Sequence, residues 1–123
     1  MYNFDFEKPS TIADAVAALA SEDAQALGGG QTLIPTLKQR LAAPSKLVSL
    51  AGIAEMKGVT IADGVLTMGG GATHAEVAAD ACPPLAALAG NIGDPAVRNR
   101  GTIGGSLANN DPAADYPAAM LAL

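Results

Sequence analysis

Two stretches of this chain place backbone donors where chemistry could use them. The first, ALGGGQTLIPTLKQRL, runs from Ala26 to Leu41 and sets three glycines before a hydroxyl residue and a segment of helical spacing. Glycine in a regular element costs roughly 0.5–1 kcal/mol relative to alanine, so three together imply a need for bare backbone. The N–H groups of Gly28, Gly29, Gly30 and Gln31, the Thr32 hydroxyl and a helix N-terminus would converge where an anion can sit. The run has neither the G-x-G-x-x-G spacing of a dinucleotide fold nor the Gly-Lys-Ser/Thr of a Walker loop. It would serve equally as a tight strand-to-helix turn. The second stretch, RNRGTIGGSLANNDPAAD, reads as a loop in which Gly101, Gly104 and Gly105 alternate with Thr102, Ile103, Ser106, Asn109 and Asn110. Two such runs suit a long ligand with two phosphates, a dinucleotide extended between two subdomains, with both runs on one cleft. Asp115, shortly after, is placed to accept from ribose or ribityl hydroxyls.

A third glycine run, MGGGATH at Met68–His74, follows a strand and precedes a capped helix, and is read as close packing. His74 has no evident partner for base catalysis, and no Ser/His/Asp set accompanies it. No catalytic residue and no metal site are therefore expected. Cys82 is the only cysteine, which excludes an intrachain disulfide and reads as a small apolar residue.

The elements that must position these groups follow from pattern. Half of the 123 residues are hydrophobic and the net charge is -5, a globular composition. The acidic balance excludes the basic stripe that nucleic acid needs, although Lys38, Arg40, Arg98 and Arg100 lie near the glycine runs. The amino terminus carries acids where a signal peptide carries lysines, and no segment approaches a membrane span, so a soluble, cytoplasmic protein is expected.

Tyr2–Phe6 reads as a strand, then a helix capped at Ser10 or Thr11, with Asp14 completing a capping box and Ile12, Val16 and Leu19 on its inner face. A strand at Ala24–Leu27 leads into the first glycines. A helix starting near Thr32, where Pro35 falls in the first turn, carries Leu33, Ile34, Leu37 and Leu41, and Ser45–Leu50 is a third strand. Strand, helix, strand, helix, strand is a small α/β unit, which places a boundary near residue 55 and divides the chain into 1–55 and 56–123. Asp63-Gly64 marks a hairpin, Thr73 and Glu76 a second capping box, and Pro83–Ala89 a short helix. Asp111 and Pro112 read as the N-cap and first residue of a last helix, inside which the chain stops.

The segments GGGQTLIPTLKQRL and IGDPAVRNRGTIGGSLANNDPAADYPAAMLAL closely resemble the FAD-binding medium subunit of molybdenum hydroxylases, the flavoprotein of the carbon monoxide and xanthine dehydrogenase type. The resemblance covers essentially the whole chain, and Thr-Ile-Gly-Gly-Ser with Asp-Pro-Ala-Ala-Asp behind it is its most specific part. In the family the first run often begins Ala-Gly-Gly and has Ser where Thr32 stands, a change that keeps the hydroxyl.

The resemblance implies an α+β fold of the PCMH type, with an α/β N-terminal subdomain and part of a second α+β subdomain. FAD would lie in their cleft, its diphosphate and sugars cradled by Gly28 to Thr32 and by Thr102 to Ser106. Ile92 would pack near the flavin and Asp115 would hydrogen-bond the cofactor. It further implies an oxidoreductase subunit that passes electrons from a small iron–sulfur subunit to an external acceptor, beside a large molybdenum subunit that oxidises substrate. The molybdenum cofactor and 2Fe-2S clusters are expected only in those partners. Family members are much longer, so a truncated form is expected, inactive alone and prone to self-association through apolar surface. Two alternatives stay open: a nucleotide-binding module without redox chemistry, and a docking module that has lost flavin.

Overall fold

Short strands that alternate with short helices are the local recipe for a parallel sheet, and residues 5–49 follow it. A computed structural model describes residues 1–123. By contacts the chain divides into Met1–Met56 and Lys57–Leu123.

In the first unit β1 (Asp5–Glu7), β2 (Ala24–Leu27) and β3 (Lys46–Ser49) alternate with α1 (Ile12–Leu19) and α2 (Leu33–Lys38). The three strands are parallel in the order β1-β3-β2, with Phe6 opposite Leu47 and Ala26 opposite Val48. The middle strand holds Leu47, Val48 and Ser49 buried, as expected for a parallel strand covered on both faces. Val48 meets Ala15, Ala18 and Ile53 in a small core, with Leu19, Leu50 and Met56 at its edge. Burying a side chain such as Val48 contributes about 1.5–3 kcal/mol.

The face of α1 differs from its expected one. Ala15 and Ala18 are buried, whereas Ile12 and Val16 are exposed, because the small alanines let the helix lie close to the sheet. Thr11 is the N-cap and accepts from the Asp14 N–H (3.1 Å), but the reciprocal half of the capping box is not formed. Leu41 lies beyond the end of α2 and is exposed.

The second unit opens with an antiparallel hairpin, β4 (Val59–Ala62) and β5 (Val65–Met68), turning at Asp63 (φ 51°) and Gly64 (φ 75°). These two positive φ values fit a type I′ turn. Five short helices follow: α3 (His74–Asp80), α4 (Pro83–Gly90), α5 (Pro95–Arg98), α6 (Ile103–Asn109) and α7 (Tyr116–Ala122). The Thr73–Glu76 capping box is present in both directions. The core gathers Ala72, Val77, Leu85, Ala89, Ile103 and Tyr116, with Val59, Leu66 and Met68 of the hairpin packed on it. The chain is thus α+β, as the sequence implied.

Two expectations are corrected here. The second glycine run is not a loop: Thr102 caps α6, and Gly104 and Gly105 form its first turn. The last helix does not start at Asp111 and Pro112. Asn110, at φ 50°, closes α6, and Asp111 forms a local turn by accepting from the Ala113 N–H (2.8 Å). Asp115 is the residue that precedes α7, and no helix of the molecule is long and apolar enough to cross a membrane.

Candidate functional site

In the first unit β2 ends at Leu27, and the chain then uses five residues to reverse into α2. Gly30 adopts φ 77°, and a Cβ there would lie 2.6 Å from the Ile34 side chain. An L-residue would be strained at that φ as well as crowded. Gly30 offers its carbonyl to the Ile34 N–H (2.9 Å), which fixes the turn from below. The backbone N–H groups from Gly28 to Thr32 meet no acceptor within the chain. Thr32 caps α2 without a side-chain bond, so its hydroxyl is also open, while Gln31 reaches back to the Gly29 carbonyl at 3.4 Å. Successive unpaired N–H groups on a partly exposed turn are donors that an anion can take up.

The second unit uses its glycines in a different way. The Gly104 N–H donates to the Gly70 carbonyl (2.9 Å), Ile103 N–H to Ala72 (3.0 Å), and His74 N–H to Gly101 (3.0 Å). The Gly105 N–H donates to the Thr102 hydroxyl (3.1 Å), and the Ser106 N–H to the Thr102 carbonyl (3.0 Å). Every N–H of the first turn of α6 is therefore engaged inside the protein. A Cβ on Gly104 would stand 2.5 Å from the Gly70 oxygen and 2.8 Å from its Cα. The Gly101–Ser106 run, expected to bind, and the Met68–His74 run, expected to pack, are joined to each other by these bonds.

Of the other residues singled out by sequence, Thr102 and Ile103 are buried, the latter in the core. Ile92 is half-buried against the same core. Ser106 is half-buried and Asp115 is exposed, and the carboxylate of Asp115 makes no cap bond to α7. Arg98 is committed to structure: its guanidinium donates to the carbonyls of Ile92 (3.1 Å) and Gly93 (2.9 Å). Arg40 lies over the Tyr2 ring at 5.2 Å.

One feature has no local sequence signal. His74, at the start of α3, is buried, and its Nδ1 shares a 2.9 Å hydrogen bond with the Tyr116 hydroxyl. Only the placement of Tyr116 at the start of α7 creates the pair, and the two residues are far apart in sequence. Burial lowers the His74 pKa from its ordinary value and pushes that of Tyr116 up to about 12. Below the ordinary histidine pKa of 6.5 the unfolded chain takes up a proton that the folded chain resists, so stability falls with falling pH. From pH 10 to about 12 the unfolded chain loses the tyrosine proton first, and stability falls as pH rises. Urea midpoints measured against pH should form a plateau between about 6.5 and 10, and Tyr116→Phe should remove its alkaline shoulder.

The family described as "FAD binding domain in molybdopterin dehydrogenase" matches residues 2–123. The chain belongs to this family. The carbon monoxide dehydrogenase medium chain of Afipia carboxidovorans is 41% identical over 128 residues, covering 98% of this chain and 44% of that protein. The nicotine 6-hydroxylase medium subunit of Paenarthrobacter nicotinovorans is 36% identical, covering 96% of this chain and 44% of its own length. Among solved structures, the quinoline 2-oxidoreductase of Pseudomonas putida 86 superposes with a TM-score of 0.91 at 36% identity, over 97% of this chain and 44% of that one. The chain thus spans less than half the length of the relatives it matches.

An FAD-binding family requires a place for a diphosphate, and the residues present fit one. The five N–H groups of Gly28 to Thr32 and the Thr32 hydroxyl supply donors that nothing else in the chain uses. The N–H groups of α6 do not add to them.

Proposed function

We propose that this chain is the flavin-holding part of the medium subunit of a molybdenum hydroxylase. The observation that carries the reading is the row of unpaired N–H groups from Gly28 to Thr32 in a chain of this family. FAD held there would supply the redox chemistry, electron transfer between iron–sulfur clusters of a small partner subunit and an external acceptor. Substrate oxidation belongs to a large molybdenum-bearing partner.

The chain's own residues bind and orient. Gly28, Gly29, Gly30, Gln31 and Thr32 hold the diphosphate through their N–H groups, with the Thr32 hydroxyl as a further donor. Each charge-assisted bond of this kind contributes roughly 1.5–3 kcal/mol. From the second unit the open hydroxyl of Ser106 and the carboxylate of Asp115 serve the sugar and ribityl hydroxyls, and Ile92 supplies an apolar contact. Thr102, Ile103, Gly104 and Gly105 act from behind, by fixing the start of α6 that carries Ser106.

Thr32→Val tests the assignment, because the hydroxyl has no bond within the chain to lose. Flavin affinity, read by quenching of FAD fluorescence, should fall about 10- to 100-fold, the equivalent of one charge-assisted bond. Unfolding free energy should stay within about 0.5 kcal/mol, as for an ordinary surface change. Unchanged affinity in Thr32→Val would remove the hydroxyl from the site, and no binding by the parent chain would overturn the reading itself.

A further inference from the structure

The last helix is held down by little. Tyr116 is its only buried residue, with half-buried Ala119 adding to the core contact. The Tyr116 hydroxyl has one partner, His74 Nδ1 at 2.9 Å, and the two rings lie with centroids 5.3 Å apart. The imidazole is closed in on its other side by Gly101, where even a Cβ would come within 2.6 Å of Nε2. Asp115 immediately precedes Tyr116.

The surroundings of the imidazole favour its neutral form. His74 is the first residue of α3, where the positive end of the helix opposes a cation. The charged groups on the elements around it are all occupied elsewhere or exposed. On α3 itself, Glu76 accepts from the Thr73 N–H and hydroxyl, and Asp80 is exposed in the last turn. Beside α5, Asp94 accepts from the Val97 N–H, Arg98 donates to two carbonyls, and Arg100 is exposed. Helix α4 and strand β4 carry no acid or base, and α7 offers only Tyr116 and the exposed Asp115 next to it. No carboxylate is bonded to the ring to compensate a proton.

We propose that the His74–Tyr116 pair is a proton-sensitive latch that positions Asp115: the neutral imidazole holds the start of α7 in the core, and the imidazolium loosens it. His74 and Tyr116 are positioning residues, acting through Asp115 and touching no ligand. The link from Asp115 to flavin rests on the function proposed above, whereas the latch itself does not.

His74 is the only histidine of the chain, so its ring resonance is assignable by NMR without a mutant. The ring should titrate with a midpoint below 6.5, and the amide resonances of Tyr116 and residues 118–122 should shift with that same midpoint. In His74→Asn, whose side-chain amide can still meet the Tyr116 hydroxyl and does not titrate, those amides should be insensitive to pH across this range. FAD affinity of the parent chain should weaken by up to about tenfold per pH unit below the ring's own midpoint, and that of His74→Asn should not. If α7 amides stay still while His74 titrates, or if the ring titrates at or above 6.5, the latch is overturned. If α7 follows the titration but FAD affinity does not, the latch stands and the role of Asp115 falls. Should His74→Asn fail to fold, the parent's two titration curves decide the question alone.

Discussion

Gly104→Val should unfold the second unit. The added Cβ would sit 2.5 Å from the Gly70 oxygen and 2.8–2.9 Å from its Cα and carbonyl carbon, all of them backbone atoms. Overpacking usually costs about 1–3 kcal/mol when neighbouring side chains can move aside. Here the neighbour is a main chain pinned by hydrogen bonds from Gly104 and, two residues on, from Ile103. Relief would break those bonds, each contributing about 1 kcal/mol with a further cost for any carbonyl left unpaired, so the upper end of that range or beyond applies. A unit of this size has only about 3–10 kcal/mol of net stability on the usual per-residue scale. Helical circular dichroism against urea should therefore show a grossly lowered or absent transition for the second unit. Gly90→Ala is the control: its Cβ would meet only Ala78, at an ordinary 3.9 Å, so the transition should be unchanged or slightly higher. A Gly104→Val chain that unfolded like the parent yet bound no flavin would return Gly104 to the ligand.

Tyr116→Ala should have the next largest effect. The ring is fully buried in the core with Val77, Leu85 and Ile103, and truncating a large buried aromatic costs about 3–5 kcal/mol. It would also leave the His74 Nδ1 without a partner, for about 1–3 kcal/mol more unless water enters. Tyr116→Phe isolates that second part by keeping the ring. Hydrogen exchange should show α7 unprotected in Tyr116→Ala, with the first unit as protected as in the parent. Equal protection of α7 in the two proteins would mean that Ala119 and its neighbours anchor the helix without Tyr116.

Which features could be read from the sequence depended on how local their causes are. The Asp63-Gly64 hairpin and the Thr73–Glu76 box are settled by neighbours within four residues, and both lie where sequence puts them. The inner face of α1 was misread because periodicity ranks Ile12 and Val16 above alanine, whereas the close sheet selects Ala15 and Ala18. The start of α6 was misread because three glycines in five residues resemble a loop. What holds them helical are carbonyls of Gly70 and Ala72, some thirty residues back along the chain. Asp111 and Asp115 each precede a plausible helix, and only burial of Tyr116 decides between them.

The candidate site divides along the same line. Glycines before a hydroxyl announce donors, and those of Gly28 to Thr32 are open. In the second run the same composition gives donors that are already engaged, which no local pattern reveals. His74 as half of a buried pair was beyond reach for the same reason.

The rungs linking Gly70, Ala72 and His74 to Gly104, Ile103 and Gly101 enclose all of α3, α4 and α5 as a single loop. That loop must close before the first turn of α6 gains its outside partners, so the glycine-rich helix has little means of forming early. Folding of the second unit should then run in an order, with the paired helices α3 and α4 collapsing first and α6 and α7 arriving together as the clasp. Loop closure costs entropy that grows only slowly with length. Lengthening the enclosed loop should therefore slow the fastening of the clasp slightly and leave its strength almost unchanged.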